Sequence, residues 1–380
     1  MRVTNHFKLK PMKTRLTFLL FLFLVVSCRN DEKICHLTGH LENAPDSTTL
    51  YLVDWQKDTL LNTIQVIKGE FDFKFPISHP KYVLLQNERN QYQFRDRKFI
   101  WLEPAKINLN GDFEFLNNIK VEGSSSQTEF ENYHLLVDND TKKLNELRNQ
   151  VLIKTDEKTN TETNEIELIQ KNLSDSIMEF LVHHQDSYVT LNSLYEETYF
   201  YNAILNKNQI RTVYDNLSDN LKESELGVQI KNYTELPEPP NIGDIANEIT
   251  QVTPNGETIK LSDYRGKYVL LDFWSSGRGP CRSANKWLRK EYSKYNQKGF
   301  EIFGVSGDID HKSWTNAIEQ DSIPWTNVCD LKGWTSETFL MYGVKGIPFG
   351  FLINPDGIVI KKGILNQSDL EVLLKRIFEI

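Results

Sequence analysis

The chain has 380 residues, a formal net charge of −8 and 39% hydrophobic residues. This composition is typical of a globular protein with two or three domains rather than a disordered or fibrous one. The acidic balance, without a cluster of lysines and arginines interleaved with aromatics, argues against nucleic acid as a partner. Proteins, peptides or small molecules are therefore the expected partners.

The N-terminus has the pattern of a targeting segment. Basic residues precede an apolar run at 16–26, which is shorter than the roughly 20 residues of a membrane-spanning helix. Val25-Val26-Ser27-Cys28 then resembles a bacterial lipobox, whose cysteine carries the lipid and becomes the mature N-terminus. A conventionally cleaved signal and an uncleaved anchor are the alternatives.

The lipobox resemblance implies a protein of the cell envelope that faces the periplasm and is held at the membrane by the lipid on Cys28. Residues 1–27 would be the signal peptide and 28–33 a polar tether. Arg29, where some lipoproteins have an aspartate, resembles sorting to the outer membrane of a two-membrane bacterium.

The remaining cysteines do not form a recognisable pair or metal site. Cys35, Cys281 and Cys329 are an odd number in a compartment that permits disulfides, and no two have the Cys-x-x-Cys spacing. The adjacent His183 and His184 have no cysteine at ligand spacing and are interpreted as helix-surface residues. We therefore expect neither a metal nor another cofactor.

Residues 34–125 have the pattern of a β-rich domain. Phe71, Phe73 and Phe75 alternate with polar residues, which in a half-buried strand places one row of side chains inward. Strands are predicted at 34–39, 49–53, 70–75, 82–85 and 106–109. A small antiparallel β-sandwich is the expected product.

Three pieces of this stretch, at 38–41, 68–73 and 121–124, resemble a β-rich domain of unknown function that often precedes thioredoxin-like domains in bacterial envelope lipoproteins. The resemblance implies a binding or spacer role for the domain and nothing more specific.

Residues 126–235 are predicted to form a helical connector. Apolar residues recur at helical spacing at Phe130, Tyr133, Leu135 and Leu136, and again at Ile166, Leu168, Ile169 and Leu173. Aromatic residues then gather at Tyr188, Tyr195, Tyr199, Phe200 and Tyr201. We interpret this second group as a helix that packs on its neighbours rather than as a ligand cage.

The prolines of 236–240 favour an extended linker, and residues 236–380 alternate strands with helices. This alternation predicts an α/β sheet with helices on both faces. Within it, residues 272–282 read Asp-Phe-Trp-Ser-Ser-Gly-Arg-Gly-Pro-Cys-Arg. Gly279 and Pro280 favour the start of a helix, and Cys281 follows in its first turn, where the helix dipole favours a thiolate.

This domain resembles the envelope thiol-disulfide oxidoreductases of the TlpA/ResA type, within the thioredoxin-like and AhpC/TSA peroxiredoxin superfamily. The matching segments are 242–246, 266–274, 279–282, and 342–348 with 351–354. The resemblance implies a thioredoxin-like fold in which Cys281 is the resolving cysteine and Asp272 a buried carboxylate that helps to deprotonate it. It also implies a cis Pro348, which presents the backbone of Ile347 to an extended peptide.

The site departs from that family in its chemistry. Arg278 stands where the nucleophilic cysteine of Trp-Cys-Gly-Pro-Cys would be, and Ala284 stands where the family tends to have a glutamate. The neighbours expected of a peroxidatic cysteine, a Thr or Ser three residues before it and a Pro seven before it, are also missing around Cys281. Asp272 is equally well read as a polar residue at the end of a strand, and Cys281 as a small buried residue.

Three functions remain open from the sequence. The first is a redox-inactive protein that binds peptides or ligands in the old substrate groove, at Arg278, Ile347 and Pro348. The second is a residual thiol-disulfide oxidoreductase in which Cys281 pairs with Cys329 or with a cysteine of a partner. The third is a structural scaffold for an envelope complex.

Overall fold

The structure is a computed structural model. It describes residues 33–54, 56–57, 59–87, 97–153, 160–200, 203–363 and 366–379, without the side chains of 151–153 and 160–163. The predicted signal peptide, and Cys28 with it, lie outside the described residues.

The N-terminal part of the described chain is a β-sandwich. Its strands are β1 (Ile34–Glu42), β2 (Thr48–Asp54), β3 (Thr59–Val66), β4 (Glu70–Pro76), β5 (Lys81–Gln86), β6 (Arg97–Leu102), β7 (Lys106–Asp112) and β8 (Lys120–Glu122). They form two four-stranded sheets, ordered β4-β1-β7-β8 and β3-β2-β5-β6. Inward-facing residues of both sheets share one hydrophobic core, so the predicted sandwich is confirmed.

One pairing in the sandwich differs from the expected antiparallel arrangement: β1 runs parallel to β7. The strands approach so closely at Gly39 that a Cβ atom there would lie 2.0 Å from the carbonyl oxygen of Leu109 and 2.6 Å from Cζ of Phe71. Only glycine fits this position, which explains a residue that is otherwise unfavourable in a strand. The short β8 then closes the sheet antiparallel to β7.

The middle of the chain is helical, as predicted. Its helices are α1 (Ser125–Ile153), α2 (Asn160–His183), α3 (Tyr188–Tyr199), α4 (Lys207–Asn216), α5 (Asp219–Lys222) and α6 (Glu225–Glu235). They share one core that also includes Trp101 of the sandwich. Three residues of the predicted apolar pattern are not in it: Leu135 is 78% exposed, Leu136 56% and Leu168 58%. Those positions lie in helices, as predicted, but on the solvent side of the α1–α2 hairpin.

The C-terminal part begins after the proline-rich stretch at 236–240, which has no regular secondary structure. Its strands are β9 (Thr250–Val252), β10 (Thr258–Lys260), β11 (Tyr268–Trp274), β12 (Phe300–Ser306), β13 (Thr326–Val328), β14 (Phe349–Ile353) and β15 (Val359–Gly363). Its helices are α7 (Gly279–Tyr295), α8 (His311–Gln320), α9 (Glu337–Met341) and α10 (Gln367–Phe378).

The C-terminal sheet has the order β13-β12-β11-β14-β15, with β11, β12 and β13 parallel and β14 and β15 antiparallel to their neighbours. Its two faces carry separate hydrophobic cores. Val269, Leu271 and Phe273 belong to one, whereas Leu270 belongs to the other together with residues of α7 and α10. The predicted thioredoxin-like α/β fold is confirmed. Asp272 is two residues from Leu270 on β11, so its side chain lies on the same face of the sheet, the one covered by α7.

The helical connector packs directly on the C-terminal domain. Helix α6 contacts α9, and the ammonium group of Lys207 in α4 donates hydrogen bonds to the backbone carbonyls of Leu236 and Pro237. These contacts place the C-terminal end of α3 beside the residues that follow α9. The connector therefore borders the part of the domain where the resemblance predicts a substrate groove.

Candidate functional site

The turn between β11 and α7 is built from residues 275–281. Arg278 is the N-cap residue of α7, but its side chain accepts no hydrogen bond from the first helical turn, because a guanidinium has no acceptor atom. Pro280 follows within that first turn, where a missing amide hydrogen is tolerated. The turn thus begins the helix with a cation where side-chain oxygens are the usual caps.

Arg278 and Cys281 differ sharply in exposure. Arg278 is exposed, whereas Cys281 is buried with 1% of its surface accessible. Burial raises the pKa of the Cys281 thiol to about 11, although the backbone of Ser275 and the charge of Arg278 act in the opposite direction. At neutral pH the thiol is therefore protonated and enclosed, and a protonated thiol is a poor nucleophile.

Asp272 lies in the sheet beneath this turn. The side chain is buried, and burial raises the pKa of its carboxyl group to about 7. Its charge is also one of the factors that raise the pKa of Cys281. Asp272 thus occupies the position that the resemblance implies, close enough to the thiol to influence it.

A polar network behind the turn fixes its shape. The carboxylate of Asp308 accepts hydrogen bonds from the amide of Ser276 at 3.0 Å, from its hydroxyl at 2.7 Å and from the hydroxyl of Ser306 at 2.6 Å. In α7, the guanidinium of Arg282 donates to both carboxylate oxygens of Asp321, at 2.6 and 2.9 Å. This paired arrangement holds the helix start against α8, because a bidentate contact restricts both position and orientation.

Cys329 shares a small hydrophobic cluster with Cys281, together with Trp274, Trp314 and Ala317. The Cys329 thiol donates to the carbonyl oxygen of Asp308 at 3.5 Å, and burial raises its pKa. All three described cysteines are free and buried, Cys35 within the sandwich. The structure therefore brings Cys281 and Cys329 into one cluster without joining them.

A groove between the C-terminal domain and the helical connector lies beside this turn. The Ile347–Pro348 peptide bond is cis, and both residues line a cavity of about 800 Å³ together with Arg278. The other lining residues are Tyr195, Tyr199, Phe200, Trp334, Thr335, Gly343, Lys345, Gly346 and Phe349. The three residues predicted to form a substrate groove thus share one cavity.

The aromatic wall of the cavity comes from the helical connector. Tyr195 and Tyr199 of α3, with ring centroids 4.6 Å apart, and the following Phe200 face the C-terminal domain. The sequence predicts a packing role for these aromatics, and Tyr195 and Tyr199 do pack in the connector core, but they also line the cavity. Tyr201, of the same predicted group, lies outside the described residues.

Sequence reasoning does not identify Lys345 and Trp334 as cavity residues. Lys345 stands three residues before Pro348, but a lysine on a loop carries no signal of its own. Trp334 is 47% exposed and lines the cavity. That exposure depends on the fold, so the sequence offers no signal for Trp334 either.

Other predicted positions do not contribute to a site. His183 and His184 hydrogen-bond to the backbone carbonyls of Glu179 and Phe180 in their own helix. The described residues contain no group of His, Cys, Asp and Glu side chains suited to hold a metal ion. Within the same described ranges, no helix has the length and apolar character required to cross a membrane.

Comparison with known families assigns both ends of the chain. Residues 242–362 match the AhpC/TSA family, and residues 35–130 match a domain of unknown function, DUF4369. The chain is 33% identical over 138 residues to the thiol-disulfide oxidoreductase ResA of Bacillus thuringiensis subsp. konkukian, a match that covers 36% of this chain and 78% of that protein. For ResA of Bacillus subtilis the identity is 30% over 118 residues, covering 31% and 64%.

Solved structures give similar matches. The thioredoxin domain of a thiol-disulfide oxidoreductase from Bacteroides vulgatus is 33% identical, with a TM-score of 0.35, and the match covers 36% of this chain and 98% of that one. A thiol-disulfide oxidoreductase from Bacteroides fragilis is 32% identical, with a TM-score of 0.32 and coverage of 34% and 99%.

Proposed function

The chain belongs to the thiol-disulfide oxidoreductase family through its C-terminal thioredoxin-like domain, and from this premise we propose that it binds extended peptides in the groove of that domain without dithiol exchange. The observation that carries the proposal is the position of Arg278. It occupies the place of the nucleophilic cysteine, is exposed, and lines the cavity of about 800 Å³ with Ile347 and Pro348.

The loss of exchange follows from the state of the remaining thiol. Dithiol exchange needs one thiolate that attacks a disulfide and a second thiol that resolves the mixed product. Arg278 cannot attack, and Cys281 is 1% exposed with a pKa of about 11. A substrate disulfide cannot reach the Cys281 sulfur unless the beginning of α7 moves.

Peptide binding is supported by the backbone of the groove. Ile347 lies just before β14, and among the described residues its amide and carbonyl make no hydrogen bond within the protein. An unpaired backbone edge beside a cavity can pair with an extended chain, as an added strand does at the edge of a sheet. The groove therefore offers main-chain contacts that do not depend on a thiol.

The proposed location is the cell envelope, with the protein facing the periplasm and tethered to a membrane through lipidated Cys28. It rests on the targeting segment alone, whose residues 16–28 have the order of an apolar run followed by a lipobox. Arg29 is the one residue that favours the outer membrane over the inner one. The partners in that setting are envelope proteins or peptides that present an unfolded segment to the groove.

Binding and turnover can be measured on the same purified full chain. We expect a cysteine-free, fluorescein-labelled peptide of about 12 residues, long enough to cross the groove when extended, to raise its fluorescence anisotropy on binding. Arg278→Ala should weaken the binding and Cys281→Ser should leave it unchanged. Insulin reduction should equal that of Cys281→Ser.

Two results would contradict the proposal in different ways. Reductase turnover that Cys281→Ser abolishes would show a residual thiol enzyme. Absence of binding to any extended peptide, together with absence of turnover, would leave the scaffold function in its place.

A further inference from the structure

The groove contains positive charge that the protein does not neutralise. Arg278 and Lys345 line the same cavity, and Arg148 of α1 is close enough to Lys345 for their charges to repel. Within the residues that the structure describes, none of these three side chains has an ion pair. Burial lowers the pKa of Lys345, the charge of Glu197 acts in the opposite direction, and the charge of Arg148 adds to the lowering.

Three carboxyl groups near the cavity, those of Glu196, Glu197 and Glu337, have other partners or a raised pKa. Glu197 accepts hydrogen bonds from the amides of Ile204 and Leu205, at 2.6 and 2.8 Å, although its charge also reaches Lys345. Burial raises the pKa of the neighbouring Glu196 to about 7, so that it carries only part of a charge at neutral pH.

Glu337, whose charge acts on Tyr199, pairs with Lys332 at 3.4 Å. Burial also raises the pKa of Glu197, and in the described part of the chain none of these three carboxyl groups forms an ion pair with Arg278 or Lys345. Both cations can therefore pair with an anionic group from outside.

The cavity is also bordered by aromatic faces on both sides. Tyr199 and Phe200 lie on the connector side, and Trp334 and Phe349 lie on the C-terminal domain. The Tyr199 hydroxyl donates to the carbonyl of Gln229, so a ligand in the cavity would contact the ring of Tyr199 rather than its hydroxyl. Aromatic walls around unpaired cations favour an anion attached to an apolar or aromatic body.

Resting on the proposed function, we propose that the groove selects extended peptides with an acidic side chain next to an aromatic one. The acidic carboxylate binds between Arg278 and Lys345, and the aromatic neighbour packs against Trp334. The peptide backbone pairs with Ile347, which places successive side chains on alternate sides of the bound strand. An acidic side chain is favoured over a C-terminal carboxylate, because a peptide that ends at Arg278 loses the backbone pairing beyond that point.

The test changes the ligand before it changes the protein. Three cysteine-free, fluorescein-labelled peptides of about 12 residues are compared by anisotropy with the full chain. The first contains a central Glu-Phe pair and has a blocked C-terminus. The second has Gln in place of that Glu. The third is the Gln peptide with a free C-terminal carboxylate.

We expect the Glu peptide to bind about tenfold more tightly than the Gln peptide, the size of a charge-assisted hydrogen bond that is partly shielded from water. The preference should shrink as salt is added. It should disappear in Arg278→Ala, fall in Lys345→Ala and persist in Lys290→Ala, which removes an exposed cation further along α7.

The outcomes separate this inference from the function on which it rests. Equal binding of the Glu and Gln peptides overturns the acidic preference and leaves peptide binding intact. A preference seen only with the free C-terminal carboxylate overturns the choice of an acidic side chain. Failure of every peptide to bind overturns the proposed function, and this inference with it.

Discussion

Arg278 and Cys281 lie at the start of one helix, three residues apart, yet Arg278 is exposed to the groove and Cys281 is enclosed with Trp274 and Cys329. This is the relationship between an attacking and a resolving position. The geometry around the pair is retained: Gly279 and Pro280 begin the helix, and the cis Ile347–Pro348 bond borders the same cavity. The turn therefore differs from the dithiol form of the family at position 278 while its framework is retained.

Arg278→Cys is expected to restore dithiol exchange. The new thiol would be exposed at a helix N-terminus, where the pKa of a cysteine is lowered, and would stand in a Cys-Gly-Pro-Cys sequence with Cys281. Insulin reduction should rise about tenfold or more above the parent chain, the direction expected for an accessible thiolate with a resolving partner.

The control for this gain is Arg278→Cys combined with Cys281→Ser, which should form mixed disulfides but not turn over. If Arg278→Cys is no more active than the parent chain, another departure from the family also prevents exchange, and Ala284 is the first one to test.

Cys281 in the parent chain is expected to resist alkylation. Its burial and its pKa of about 11 leave little thiolate at neutral pH. Iodoacetamide at about pH 7.5, with labelled residues mapped by mass spectrometry, should modify Cys281 only after the protein is unfolded in urea. The thiol introduced by Arg278→Cys is the matched positive control. Rapid native labelling of Cys281 would contradict the structure at this site.

The turn between β11 and α7 could be predicted from the sequence because its signals are local. The proline in the first turn of the helix and the apolar strand before it are close together in the sequence. The Ile347–Pro348 signal is likewise carried by neighbouring residues. The resemblance predicts a buried carboxylate at Asp272, and the structure buries this side chain on the face of β11 that also carries Leu270.

The rest of the groove could not be predicted, because it depends on contacts between distant parts of the chain. Tyr199 and Trp334 meet at one cavity only because the connector docks on the C-terminal domain. Lys345 and Arg148, whose charges repel each other, likewise come from different parts of the chain. Periodicity predicted the helix that contains Leu135 but not which of its apolar residues are buried, since a long helix that is packed on one side can expose an apolar residue without unfolding.

Asp272→Asn is expected to stabilise the protein at alkaline pH and much less in acid. Burial raises the pKa of Asp272 from 3.8 to about 7 in the folded state. The folded protein therefore holds a proton that the unfolded chain releases above about pH 4, so stability falls as the pH rises through about 7. The asparagine variant does not have this loss, so its free energy of unfolding should exceed that of the parent chain by up to about 4 kcal/mol at alkaline pH.

Urea unfolding at about pH 5 and about pH 8, followed by tryptophan fluorescence, measures the difference. Asp356→Asn is the control, because Asp356 is exposed and its substitution should act equally at both pH values. A stabilisation by Asp272→Asn that is the same at both would show that burial does not shift the titration of Asp272.

Asp308→Ala is expected to loosen the turn that carries Arg278. Three donors from Ser276 and Ser306 lose their acceptor, which should lower the free energy of unfolding by about 1–3 kcal/mol. Asp310→Ala is a matched control, because Asp310 accepts from the amide of Ser313 and caps α8 at a comparable cost of about 1 kcal/mol. Amide hydrogen exchange should accelerate at 276–281 in the first variant and at the beginning of α8 in the second. Unchanged exchange at 276–281 in Asp308→Ala would mean that the Arg282–Asp321 pair between α7 and the end of α8 is enough to hold the turn.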